Sequence, residues 1–134
     1  MATSKVTYVG DLRTSSIHIN SGSEIISDAP LDNNGKGEAF SPTDTVANAL
    51  ASCMFTVMGI KARDLEVDFS GSTAEVTKIM GTDPRRITEI HVTFSMSINP
   101  DDKTKTILER TAMTCPVFFS LHPEIKKEIV FNWK

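Results

Sequence analysis

Residues 41–63 read SPTDTVANALASCMFTVMGIKAR, and how this stretch folds decides the architecture. Ser41 is suited to cap a helix, Pro42 to its first turn, where a missing N–H costs nothing, and Asp44 to close a capping box. The spacing predicts a helix running to Arg63. Val46, Ala47, Ala49, Leu50, Ala51, Cys53, Met54, Phe55, Val57, Met58 and Ile60 go nearly all the way round it. Such a helix must be covered on most of its sides. Val46, Ala49, Leu50, Cys53, Val57 and Ile60 share one stripe, which directs the Cys53 sulfur toward packed apolar side chains.

Upstream, residues 28–37 (DAPLDNNGKG) are rich in turn formers and read as a loop and candidate binding segment. Before it, residues 5–9 and 17–19 alternate weakly around Gly10-Asp11, predicting a β-hairpin, with Ile25-Ile26 as a third short strand. Downstream, Leu65, Val67 and Phe69, then Ala74 and Val76, suggest a strand over 65–79 broken at Gly71. Ile90, Val92, Phe94, Met96 and Ile98 form the clearest period-two run, and two long antiparallel strands are expected here. Asn99-Pro100-Asp101-Asp102 opens a second helix carrying Ile107, Leu108, Thr111, Ala112 and Cys115 on its apolar side, with Pro116 as its stop or kink. Ile129, Phe131 and Trp133 predict a closing strand.

The pattern is α+β within one domain over residues 1–134, with no internal repeat. Fourteen Lys and Arg against seventeen Asp and Glu give a net charge of −3, which leaves no basic excess for nucleic acid or anionic lipid. The polar start and the short apolar runs predict a cytoplasmic protein without a membrane partner. In a reducing compartment the two cysteines are not expected to form a structural staple.

Cys53 reads either as a small core hydrophobe or as a reactive thiol. It lies too deep in its helix for the helix dipole to activate it, so activation requires a cation brought by the fold. Cys115 lies 62 residues downstream on a second apolar helix face, and two facing helices can make the sulfurs neighbours. Such a pair can act as attacking and resolving thiol. Arg13, Arg63, Arg85 and Arg86 are the candidate cations, while Glu38 and Asp44 flank the helix start and can orient one of them. His18, His91 and His122 show no metal-ligand spacing with Cys or carboxylate at i, i+3 or i, i+4, so no metal and no cofactor is assigned.

GKGEAFSPTD (residues 35–44) leading to ALASCM (49–54), with DPRRI (83–87) and TCPVFFSLHPEI (114–125), resembles the OsmC/Ohr family of osmotically induced and organic hydroperoxide resistance proteins. The resemblance covers almost the whole chain. It implies an α+β fold of two antiparallel β-sheets around two central buried helices, an intertwined homodimer, and thiol-dependent reduction of an organic hydroperoxide, with a dithiol as reductant. By that resemblance Cys53 matches the attacking cysteine, Cys115 the resolving one, and Arg13 the N-terminal arginine that stabilises the thiolate. The hydroperoxide-resistance branch carries a glutamate ten residues before the first cysteine. Here Thr43 stands in that place, with Asp44 beside it and Glu38 five residues earlier, and a neutral threonine cannot form the ion pair that holds the arginine. The competing reading is a non-enzymatic dimer holding a small apolar ligand between its subunits. A general protein disulfide exchanger is disfavoured by the lack of CxxC.

Overall fold

Ser41 and Asp44 form the capping box that the sequence predicts: the Asp44 N–H donates to Ser41 Oγ at 3.0 Å, and the Ser41 N–H donates to Asp44 Oδ2 at 3.0 Å. From this cap the central helix α1 runs over Pro42–Asp64 in the computed structural model, which describes residues 1–134. Before it come three strands, β1 (Ser4–Gly10), β2 (Arg13–His18) and β3 (Glu24–Asp28), and a 3-10 turn at Leu31–Asn33. After it come β4 (Thr73–Gly81), β5 (Arg86–Ser95), α2 (Asp102–Ala112), the short helix α3 (Pro116–Ser120) and β6 (Lys126–Asn132). The chain forms two compact units, Met1–Thr45 and Val46–Lys134.

The N-terminal unit is an antiparallel sheet in the order β1-β2-β3. Its first turn needs left-handed backbone at Gly10, Asp11 and Leu12 (φ 100°, 52° and 64°), which glycine adopts without steric cost and aspartate tolerates. The registers Val6↔Ser16 and Ser16↔Ile25 line these residues up across the sheet. Val6, Tyr8 and Ile25 on that face are 60%, 65% and 63% exposed.

In the larger unit β5 is the central strand of a sheet ordered β4-β5-β6. Its inward residues Ile90, Val92 and Phe94 pack with Leu50, Met54 and Met58 of α1 and Leu108 and Ala112 of α2, all fully buried. The β4–β5 pair is antiparallel as expected, whereas β6 runs parallel to β5. That direction follows from the connection, since α2 and α3 carry the chain back before β6 begins. Phe55, Phe94, Phe131 and Trp133 form a continuous run of ring contacts through this core, and Trp133 Nε1 donates to Glu109 Oε2 at 3.0 Å.

Three local expectations are corrected. Residues 65–69 are not a strand: the Val67 N–H donates to the Ala62 carbonyl at 3.0 Å and the Glu66 N–H to that of Arg63 at 3.2 Å, with Glu66 at φ 57°. This is a Schellman termination of α1, in which alternating apolar residues pack under the helix end. The buried stripe of α1 is Ala47, Leu50, Ala51, Met54, Met58 and Ala62, while Val46 and Ile60 of the expected stripe are 40% and 60% exposed. Finally, α2 ends at Ala112, so Cys115 is not on that helix but caps the next one. By length and composition alone α1 could cross a membrane, yet its buried stripe packs on protein; only 33% of its most apolar window is covered within the chain.

Candidate functional site

Pro116 explains the position of Cys115. Lacking an N–H, it cannot extend α2 and instead occupies the first turn of α3, which places Cys115 at the N-cap with extended backbone (φ −66°, ψ 142°). The Cys115 sulfur is fully buried and accepts the Phe118 N–H at 3.3 Å. Cys53, at the start of the fourth turn of α1, is half-buried against the same core, and both cysteines are free thiols. The two thiols are near enough for Cys53 to influence the ionisation of Cys115. Burial pushes the Cys115 thiol above its ordinary value; the Phe118 N–H opposes this, the neighbouring Cys53 adds to it, and the Val117 N–H again opposes it.

The N-terminal unit organises Arg13. Its Nε and Nη2 donate to the two carboxylate oxygens of Asp28 at 2.7 and 2.9 Å, a bidentate pair across the register Arg13↔Asp28. Nη2 also donates to Glu38 Oε1 at 3.3 Å, and the Glu38 N–H donates to Asp28 Oδ2 at 3.1 Å. Asp28 is 1% exposed and was not among the sequence candidates. Of the two expected orienting carboxylates, Glu38 contacts Arg13, whereas Asp44 serves the α1 cap. Thr43, at the position of the branch glutamate, has its hydroxyl 3.2 Å from that of Ser41.

Hydrogen bonding from Arg13 holds the Asp28 carboxyl below its ordinary value, against the opposing effect of burial. The folded protein therefore binds fewer protons than the unfolded chain near the carboxylate range. The stability gained is complete above the unfolded value of about 3.9 and is lost as pH falls through the lower folded value. Asp28→Asn is expected to lower the urea midpoint at neutral pH and to flatten its fall below about pH 4. Parallel pH profiles for the two proteins would rule this out.

Other groups converge in the larger unit. An open cavity of about 620 Å³ lies along the second half of α1, walled by Phe55, Gly59, Ile60, Val67 and Phe69, with Arg63 and Asp68 among its polar lining. On the second sheet His91 meets Glu89 and Glu128, a grouping that a search at helical spacings misses.

The fold defines a small α+β protein with two neighbouring free thiols, and the comparisons give its family. A family model described as OsmC-like protein matches residues 35–130, and the chain belongs to that family. A solved structure from Psychrobacter arcticus 273-4, designated an osmotic stress induced and detoxification response protein, is 59% identical over 98% of this chain and 96% of its own, with a TM-score of 0.96. An organic hydroperoxide resistance protein OsmC from Legionella pneumophila is 12% identical, covers 98% of both chains and has a TM-score of 0.72. An organic hydroperoxide resistance protein from Vibrio cholerae O1, with captopril in one of its active sites, is 15% identical over 98% of this chain and 92% of its own, with a TM-score of 0.74. The last two establish likeness of fold alone. No curated protein matches the chain.

Proposed function

We propose that the protein reduces organic hydroperoxides through Cys53 and Cys115, in a stress-related detoxification role. The observation that supports this reading is a half-buried thiol, Cys53, close enough to a fully buried one, Cys115, to influence its ionisation. The asymmetry in burial supports a division of roles. Cys53 is the sulfur a peroxide can reach, and Cys115 is the protonated partner behind it.

In the first step the Cys53 thiolate attacks the terminal oxygen of R–O–O–H, the O–O bond breaks, and the alkoxide leaves as the alcohol after taking a proton. Cys53 becomes a sulfenic acid. That species lacks the thiolate charge, so one influence raising the Cys115 thiol disappears while the Phe118 and Val117 N–H groups still favour its anion. Cys115 then attacks the Cys53 sulfur, a disulfide forms and water leaves. A dithiol reductant returns both thiols by exchange. The OsmC-like family and the name of the Psychrobacter protein support the stress and detoxification role, and the sequence resemblance points to hydroperoxides. The resemblance assigns Arg13 to the thiolate-stabilising arginine, and the bidentate Asp28 contact supplies an anchor that Thr43 cannot.

The working unit in this proposal is a homodimer. A second copy is the partner best suited to the apolar side of α1 left uncovered within the chain and to the exposed row of Val6, Tyr8 and Ile25, since patches of this kind mark interaction surfaces. Sedimentation equilibrium is expected to give twice the chain mass, and a monomer at all concentrations would overturn the dimer.

The function is tested by adding one equivalent of cumene hydroperoxide to the reduced protein and mapping its thiols by mass spectrometry. A Cys53–Cys115 disulfide formed within the first turnover is the expected product. Two thiols that stay alkylatable after unfolding would exclude the peroxidase. The cavity beside α1 favours a second reading, binding of a small apolar molecule without catalysis. Ligand retention by the Cys53→Ser/Cys115→Ser variant, together with no peroxide turnover by the unaltered protein, would select it.

A further inference from the structure

The outward face of the second sheet carries a group of side chains for which the thiol chemistry has no use. Period two puts Glu89 and His91 on the same face of β5, and the parallel register places Glu128 of β6 directly opposite His91. His91 Nε2 lies 3.0 Å from Glu89 Oε1 and 3.5 Å from Glu128 Oε2. One ligand atom from each residue falls within 4.8 Å of the other two. We propose that Glu89, His91 and Glu128 form a binding site for a divalent transition metal of the zinc type, separate from the cysteine pair.

The spacing suits such an ion. Tetrahedral zinc with arms of about 2.0–2.2 Å sets its donor atoms roughly 3.3 Å apart, so the triad needs only small side-chain adjustment to close on it. Lys126 Nζ pairs with Glu128 Oε1 at 2.8 Å and so competes with an ion for that carboxylate, while Oε2 lies toward His91. Imidazole nitrogen selects zinc-like ions over magnesium and calcium, which prefer all-oxygen shells. The side chains are 33%, 32% and 46% exposed for His91, Glu89 and Glu128, so the ion enters from solvent and a fourth position stays open to water. Ligation through Nε2 requires the tautomer with the proton on the other ring nitrogen. The strand pair supplies rigidity that a loop would lack.

Thiols also bind zinc, so the test uses the full-length Cys53→Ser/Cys115→Ser variant, titrated with zinc against a chromophoric chelator. One ion per chain is expected, with a dissociation constant on the order of micromolar. His91→Gln in that background is expected to weaken binding about tenfold or more, and Glu128→Gln to weaken it as well. Lys126→Gln keeps all three ligands and removes a competing cation, so it is expected to tighten binding. Circular dichroism confirms that each variant is folded, and Glu89→Gln replaces any that is not. Cobalt bound at this site gives weak visible bands without thiolate charge transfer. Zinc binding that is equal in His91→Gln and its parent, or absent at concentrations up to roughly a hundred times that micromolar range, overturns the site.

Discussion

Cys53→Ser is expected to lose cumene hydroperoxide turnover by about a thousandfold or more, because it removes the only sulfur in the pair that is open to the peroxide. A serine hydroxyl is not ionised near neutral pH and does not cleave the O–O bond. Cys115→Ser is expected to behave differently. It keeps the attacking thiol, so a stoichiometric first reaction proceeds and stops at a Cys53 sulfenic acid, which dimedone traps. With a dithiol present, direct reduction of that acid sustains a slow residual turnover. The unaltered protein is expected to pass through the disulfide and to give no dimedone adduct at steady state. Stopped-flow measurement of the first turnover in both variants checks this. Equal loss of the initial burst in the two would contradict the division of labour, since it would make Cys115 necessary for attack.

The surroundings of the two thiols were only partly legible in the sequence. The capping residues Ser41, Pro42 and Asp44 and the apolar density of α1 are local signals, and they located the central helix correctly. Which of its two apolar faces enters the core was not local. It depends on where β5 lies, and the choice fell on the face of Leu50, Met54 and Met58, leaving Cys53 at the border instead of at the centre. Leu65, Val67 and Phe69 alternate like a strand, but Glu66 at φ 57° shows that a left-handed cap can produce the same spacing.

Pro116 signalled the end of α2 but equally suits the start of a new helix, and only the packed chain distinguishes the two roles. Asp28 was missed because its meaning arises from the strand register that puts it opposite Arg13. Glu89 and His91 stand at the i, i+2 spacing of a strand, which the helical ligand spacings do not include, and Glu128 joins them only through the parallel closing strand.

Phe94→Ala is expected to cost about 3–5 kcal/mol of folding free energy, a large share of the roughly 5–15 kcal/mol that keeps a domain folded. Phe94 is fully buried at the middle of the ring series. Phe55 meets it edge-on at 4.8 Å and Phe131 stacks on it at 4.8 Å. Removing the ring leaves both neighbours facing a void they cannot close without shifting α1 or β6, and it also forfeits the aromatic contacts, each worth about 0.5–1.5 kcal/mol beyond burial. Phe94→Leu keeps part of the volume and is expected to fall between the two. Urea unfolding at one fixed protein concentration reads the difference, because any subunit association makes stability depend on concentration. A loss under about 1 kcal/mol for the alanine variant would mean that α1 is not seated on the sheet through this ring. The same seating sets the separation of Cys53, two residues before Phe55, from Cys115. Under conditions where Phe94→Ala still folds, its disulfide is therefore expected to form more slowly than that of the parent.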